Sequence, residues 1–163
     1  MSLSEILPPK DPRLIEKFEL SEELDTLAKQ ILSAHDASLK DAELFKIRFL
    51  FTNRKLSHAA AQCWRVADQF RYLYDLDYLI LVFKEDWDTK TFDYHAQVIC
   101  HELHHIRDSR KQRDIEQNVF PKPVIRRHAA EVDFCEKPEH DEYSKKTVER
   151  IRKKLGWKAT IET

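Results

Sequence analysis

Glycine is almost absent from the chain, which contains a single example, Gly156, among its 163 residues. Loops that wrap a phosphate group need several glycines, because their backbone must approach the anion closely. Neither a P-loop nor the glycine-rich fingerprint of dinucleotide-binding folds can be written from this sequence. Functions that depend on such loops are therefore excluded.

Cysteine is also scarce, and the three examples, Cys63, Cys100 and Cys135, form no C-x-x-C pair. An odd number without paired spacing argues against a disulfide scaffold and favours a protein of a reducing compartment. The thiols have two alternative uses, a Cys-His nucleophile pair, for which no local signature is present, and a structural zinc built from Cys100, His104, Cys135 and one further ligand. No spacing in the sequence supports such a site.

The chain lacks an excess of charge of one sign and also lacks a long apolar run. Lys and Arg number 28 against 29 for Asp and Glu, which gives a net charge of -1, so nucleic acid is not favoured as a partner. No apolar run approaches the length that spans a bilayer, and the first residues lack the basic start of a secretory signal. We therefore expect a cytoplasmic protein without a membrane partner.

The composition is otherwise typical of a globular protein. Apolar residues make up 42% of the chain and aromatic residues 10%, which is enough to bury a core in one domain. Three early prolines predict an irregular N-terminal segment over residues 1–19. A single domain over 20–158 and a tail over 159–163 are expected to follow.

Three stretches have the spacing of amphipathic helices, with apolar residues recurring every three or four positions. They lie at about 21–35, at about 90–107, and from about 141 to Gly156. Gly156 is a natural residue for the position just after a helix, where the backbone turns left-handed.

Three other stretches are predicted as strands. Apolar and polar residues alternate over 44–51, the stretch 59–67 is ambiguous but favours a strand, and 77–83 is apolar on both faces. A strand that is apolar on both faces belongs in the middle of a covered sheet. We therefore expect an α+β fold with a small, mainly antiparallel sheet and a packed helix at 90–107.

That helix carries the motif H-E-x-x-H at His101, Glu102 and His105. Residues four apart lie on one face of a helix, so both imidazoles can bind the same ion, and neutral imidazole is a good zinc ligand. Glu102 stands beside the first ligand, where its carboxylate can take a proton from a metal-activated water. A solvated, histidine-rich helix is the alternative interpretation, and the position directly after a buried strand favours the metal site.

A catalytic zinc site needs a third protein ligand, and three residues after His105 are candidates. His128 follows two arginines, which repel a cation unless they are paired elsewhere. Glu131 would match the arrangement of thermolysin-like enzymes, in which a Glu ligand follows H-E-x-x-H. His140 precedes Asp141, a carboxylate that can orient a ligating imidazole. The residues alone leave all three alternatives open.

The longer metzincin pattern is absent. Asp108 stands where its glycine should be, and Lys111 stands where its third histidine should be. Met1 is the single methionine, so the Met-turn of that class is missing too.

The motif and its setting resemble the small phage and prokaryotic metallopeptidases, a zincin-like group. The resemblance covers about residues 20–158, and its most specific part is the helix core at 98–106, similar to the family's apolar-HELLHI pattern. The family then carries a His-Asp pair followed by an aromatic residue, matched here by His140 and Tyr143. Its terminal Gly-x-x-Trp is shortened here to Gly156 followed at once by a tryptophan. The resemblance implies a zincin-like α+β fold with His140 as the third ligand.

Together these features predict a zinc-dependent hydrolase, with a metallopeptidase as the first hypothesis. This hypothesis assigns a peptide or protein as the substrate and partner. It places the zinc on His101, His105 and His140 and makes Glu102 the general base. The alternative is a non-catalytic zincin-like metal-binding protein that acts by binding a protein or nucleic-acid partner. The intact Glu102 argues against that alternative, because a structural site does not need a base.

Overall fold

A four-stranded mixed sheet forms the framework of the computed structural model, which describes residues 17–54, 60–126 and 142–158. Its strands are β1 (Phe18–Leu20), β2 (Ile47–Thr52), β3 (Ala61–Arg65) and β4 (Tyr78–Phe83). They lie in the order β1-β2-β4-β3. The two outer pairings are antiparallel, and the central pairing of β2 with β4 is parallel.

Six α-helices accompany this sheet in the described part of the chain. They are α1 (Glu22–Ser33), α2 (Asp68–Tyr74), α3 (Lys84–Asp88), α4 (Phe92–His104), α5 (Gln112–Glu116) and α6 (Glu142–Leu155). Short 3-10 turns span Ala37–Leu39 and Ala42–Leu44, and a second, two-stranded sheet pairs β5 (Ile106–Asp108) with β6 (Pro123–Ile125). The α+β class and the small sheet predicted from the sequence are confirmed. Of the described helices, not one combines the length and the apolar character needed to cross a membrane.

Strand β4 has the central position that its apolar run predicted. Side chains alternate across a strand, so Tyr78, Ile80 and Val82 point to one face, where all three are fully buried. Leu79 and Leu81 point to the opposite face. The register places Ile80 beside residues of both neighbouring strands, and this pairing satisfies its backbone groups on both sides.

Helices α1, α4 and α6 cover the first of these faces and complete the core. Apolar side chains from all three helices are fully buried, among them Leu24, Ile31, Ile99, Leu103 and Ile151. Each such side chain contributes about 1.5–3 kcal/mol through burial. Helix α4 lies between α1, α6 and the edge strand β3, so its position is fixed from several sides.

Two boundaries differ from those predicted. Strand β1 begins at Phe18, within the stretch expected to be irregular, because its backbone pairs with β2; residues 1–16 lie outside the described part. Helix α4 ends at His104 rather than near residue 107, because the following residues form β5 and pair with β6. Both differences come from long-range backbone pairing that overrides the local helical or irregular preference.

The end of α6 provides a test of the fold. Gly156 has a φ of +68°, and a Cβ placed there meets no heavy atom within 4 Å. Substitution therefore adds backbone strain without a steric clash. We expect Gly156→Ala to lower the free energy of unfolding by about 1 kcal/mol in urea denaturation.

Gly156→Asn is the matched control, because asparagine tolerates the left-handed conformation better than alanine. It should cost less than the alanine variant. Equal stability of the alanine variant and the parent would show that this turn does not require a positive φ.

Candidate metal centre

The N-terminal half of α4 is anchored by local contacts. The side chain of Thr91 accepts a hydrogen bond from the backbone N–H of Tyr94 at 3.3 Å and caps the helix. One turn along, the ring of His95 stacks on Trp87 of α3 at 3.7 Å, and its Nε2 donates to the Trp87 carbonyl at 2.7 Å. These contacts fix the start of the helix against the element that follows β4.

The C-terminal half of α4 brings the three motif residues together. His101 and Glu102 lie in its last turn, and His105 is the C-cap, with φ -70° and ψ -19° that continue the helical path. One ligand atom of each residue lies within 4.8 Å of the others. The two imidazole rings are 5.1 Å apart between centroids, a separation that suits two ligands of one ion.

The ring of His105 is oriented by a backbone group. Its Nδ1 donates to the carbonyl oxygen of Arg126 at 2.5 Å, and the N–H of Arg126 donates to the His105 carbonyl at 2.7 Å. The first bond selects the tautomer that carries its proton on Nδ1, so the lone pair is on Nε2. A backbone carbonyl that accepts a hydrogen bond from the ring nitrogen facing away from the ion is a common partner of a metal-binding histidine. The donor set therefore fits a divalent ion.

Glu102 is buried beside these histidines. Burial raises the pKa of its carboxyl group to about 7, and the charge of His101 partly opposes this rise. A carboxyl group with a pKa near neutrality exchanges a proton readily at physiological pH. The carboxylate therefore has the protonation behaviour of a general base.

Burial favours the neutral thiol at the two described cysteines, Cys63 and Cys100. Cys63 of β3 lies near Glu102, and burial together with that carboxylate raises the pKa of its thiol well above the usual value. Burial likewise raises the pKa of the Cys100 thiol, which lies in the core. Both thiols stay protonated near neutral pH. Cys135, the further member of the structural site considered above, lies outside the described residues.

His104, the extra histidine of the motif, points about 100° away from His105 around α4 and is fully buried. Its Nε2 donates to Ser38 Oγ at 2.9 Å, and that hydroxyl donates to Asp36 Oδ1 at 2.5 Å. Arg150 of α6 donates to Asp36 through Nε at 2.8 Å. We call these four residues the His104 network; it ties α4 to the 3-10 turn and to α6.

The candidate third ligands His128, Glu131 and His140 lie outside the described residues, as does Asp141. The site residues that sequence reasoning missed are Arg126 and the partners of His104. The sequence marks Arg126 only by its positive charge, whereas its backbone carbonyl is the group that orients His105. A carbonyl is present at every residue, so no pattern of side chains marks this one.

An α+β fold with a buried H-E-x-x-H cluster at the end of a packed helix is that of a zincin-like protein. The sequence model of the family described as "Putative phage metallopeptidase" matches residues 16–156. The chain belongs to this family. The comparisons of the chain with curated proteins and with solved structures found no match.

The ion pair of the His104 network predicts a specific dependence of stability on pH. Hydrogen bonds from Arg150 hold the pKa of Asp36 well below its usual range. This stabilisation is present above the unfolded-state pKa of about 4 and is lost as the pH falls towards the lower folded-state pKa. Asp36→Asn should lower the free energy of unfolding by about 1–2 kcal/mol at neutral pH, a modest amount because Arg150 is half exposed.

The measurement is urea denaturation of the parent and Asp36→Asn between about pH 7 and about pH 2.5. The difference in stability between the two should shrink below about pH 4. Glu19→Gln is the control, since Glu19 is an exposed acid of β1. A difference that stays constant with pH would contradict a stabilising charge on Asp36.

Proposed function

We propose that the chain is a zinc-dependent peptidase. The observation that carries the proposal is the buried Glu102 beside two histidines, one of which has its ring oriented from behind by a backbone carbonyl. A structural metal site has no use for such a base. The family membership of the chain supports the same proposal.

His101 and His105 would hold the zinc ion. When bound, the ion would act as a Lewis acid that polarises a carbonyl group and lowers the pKa of water. The protein residues carry out the proton transfers. Glu102 takes the proton of the attacking water and later passes it to the leaving nitrogen of the cleaved bond. The burial that raises the pKa of Glu102 to about 7 suits it to both transfers.

The edge strand β3 supports a peptide as the substrate. Phe83 N–H donates to the Ala60 carbonyl at 3.1 Å, and Val66 N–H donates to the Asp77 carbonyl at 2.9 Å. Backbone groups alternate in direction along an antiparallel strand, so those of Ala61 and Cys63 point away from β4.

An extended peptide can pair as an additional strand with the outward-pointing groups of Cys63, which is partly exposed, whereas Ala61 is buried. The other end of the edge is occupied, because Arg65 Nε donates to the Pro123 carbonyl of β6 at 2.8 Å. The side chain of Cys63 lies near Glu102. A peptide paired along this edge therefore runs past the proposed base.

Glu102→Gln tests the role of the base. The amide cannot accept a proton, so cleavage of a broad peptide library should fall at least about a hundredfold, while zinc affinity should stay within about threefold because the histidines are intact. Metal-free Glu102→Gln should be at least as stable as the parent at about pH 8, where the buried carboxylate is charged in the parent.

The parent is the reference for all three measurements. It is loaded with one equivalent of zinc for the cleavage assay and is metal-free for the affinity titration and the stability measurement. A parent that binds zinc and cleaves no peptide would contradict the peptidase and favour a metal-dependent binding protein. A parent that takes up no zinc on titration would contradict the metal site itself.

We propose His140 as the third ligand, on the strength of its place in the family pattern ahead of α6. Tyr143, in the first turn of α6, packs its ring 4.9 Å from that of His104, the neighbour of His105. This contact places the start of α6 against α4. His140 is three residues earlier in the chain.

Zinc affinity of alanine variants, measured by competition with a chromophoric chelator, distinguishes the three candidates. His140→Ala should weaken zinc binding by more than about a hundredfold, since loss of a supporting partner alone costs 10–100-fold. His128→Ala and Glu131→Ala are the matched controls and should change it little. A larger loss in either control would assign the third ligand to that residue.

A further inference from the structure

The two-stranded sheet beside the metal centre places two arginines on one of its faces. Arg107 of β5 pairs with Val124 of β6. The N–H of Arg126 donates to the His105 carbonyl at 2.7 Å, so the antiparallel pairing continues one residue past the end of β6. Side chains two residues apart lie on the same face of a strand, so Arg126 shares the face of Val124 and Arg107. The two arginines are therefore diagonal neighbours, a spacing within the reach of long side chains.

The surroundings of this arginine pair reduce the screening of its charge. Ile106, which alternates with Arg107 along β5, is fully buried, so the opposite face of the two-stranded sheet belongs to the core. Arg107 and Arg126 are themselves partly buried. Water and salt therefore screen their charges less than those of two fully exposed arginines.

The two positive charges also act on each other. Burial lowers the pKa of the Arg107 guanidinium, the charge of Arg126 lowers it further, and the Asp41 carboxylate only partly opposes these effects. Because an arginine stays charged near neutral pH, the fold holds two like charges close together at a cost in free energy. An anion bound between them would offset that cost.

Within the described part of the chain, neither guanidinium forms an ion pair with a carboxylate. Arg107 donates through Nη1 to the Ile106 carbonyl at 3.1 Å, which leaves four of its five N–H donors for other partners. The nearby Arg110 differs, because its Nε donates to the carboxylate of Asp108 at 2.6 Å. The arginine pair therefore has donors and charge to offer to a ligand.

The position of the pair links it to the metal centre. The Nδ1 of His105 donates to the Arg126 carbonyl at 2.5 Å, and Arg107 follows His105 by two residues. One residue of extended peptide spans about 3.5 Å. A group bound by the two guanidiniums would therefore lie within about three residues of a peptide bond held at the ion.

We propose that Arg107 and Arg126 bind a carboxylate group of the substrate, so that peptides with a carboxylate close to the cleaved bond are preferred. The nature of this ligand rests on the proposed peptidase function. The planar fork of a guanidinium matches the two oxygens of a carboxylate. A C-terminal carboxylate and the side chain of an acidic residue share this chemistry.

Equilibrium binding of a short peptide tests the proposal without depending on cleavage. The probe is a fluorescently labelled alanine peptide, either with a free C-terminal carboxylate or as the C-terminal amide. Its binding to the zinc-loaded Glu102→Gln variant, which should leave the peptide uncut, is followed by fluorescence anisotropy. The free acid should bind at least about tenfold more tightly than the amide, as expected for a hydrogen-bonded ion pair. The preference should also be present in metal-free protein, because the guanidiniums carry their charge without the ion.

Arg107→Gln and Arg126→Gln, each added to Glu102→Gln, should remove most of this preference. Two variants keep the test decisive if one of them does not fold, which circular dichroism checks. Arg107→Lys keeps the charge but loses the planar fork, so it should retain part of the preference. Arg113→Gln is the matched control, because Arg113 is an exposed arginine of α5, and it should leave the preference unchanged.

An amidated peptide that ends in glutamate distinguishes the two sources of the carboxylate. Binding as tight as that of the free acid would assign the site to acidic side chains, and binding as weak as that of the alanine amide would assign it to the C-terminus. Both results, when they depend on the two arginines, support the carboxylate site.

Equal affinities for the free acid and both amides would overturn the proposal. A preference that persists in both folded arginine variants would overturn it too, because the carboxylate would then be bound elsewhere, for example by the ion itself. The peptidase can fail separately. A parent that shows the arginine-dependent preference and cleaves no peptide would contradict the proposed function and leave the carboxylate site in place.

Discussion

The burial of polar groups in α4 is the constraint on which the rest of the structure depends. The second half of this helix is buried from Val98 to His104, and three of these residues are His101, Glu102 and His104. A buried polar group without a partner costs several kcal/mol, at roughly 2–7 kcal/mol by transfer data. The fold must therefore bring partners to α4 from distant parts of the chain. The 3-10 turn supplies Ser38 to His104, and β6 leads to the carbonyl that holds His105.

The same constraint would couple ion binding at the candidate metal centre to the fold. Because Glu102 is buried with a pKa near 7, the fold loses stability as the charge of this carboxylate forms, and an ion held by His101 and His105 would offset that charge. Ligands that are already oriented lose less entropy when they bind. The Arg126 carbonyl orients the ring of His105 and the His104 network fixes α4, so ion binding at this cluster would be coupled to the packing of the helix.

The parts of the structure that could be predicted are those encoded locally. The motif at His101 and His105, the amphipathic α1 and the apolar β4 all follow from residue spacing over a few positions. The unpredicted parts depend on contacts between distant residues, such as the 114-residue separation between Arg150 and Asp36. Helix α2 was not predicted for another reason. Its apolar residues do not pack into the core, so they lack the pattern that marks a packed helix.

Strand β4 shows both the locally encoded part of the structure and the part that depends on contacts between distant residues. Its run from Tyr78 to Phe83 is apolar on both faces, and such a strand requires cover on both. Helices α1, α4 and α6 cover the face that supports the metal centre. On the outer face Leu81 and Phe83 are buried, whereas Leu79 is half-buried. The sequence feature that placed β4 at the centre of the sheet therefore also identifies the end of the sheet at which cover is incomplete.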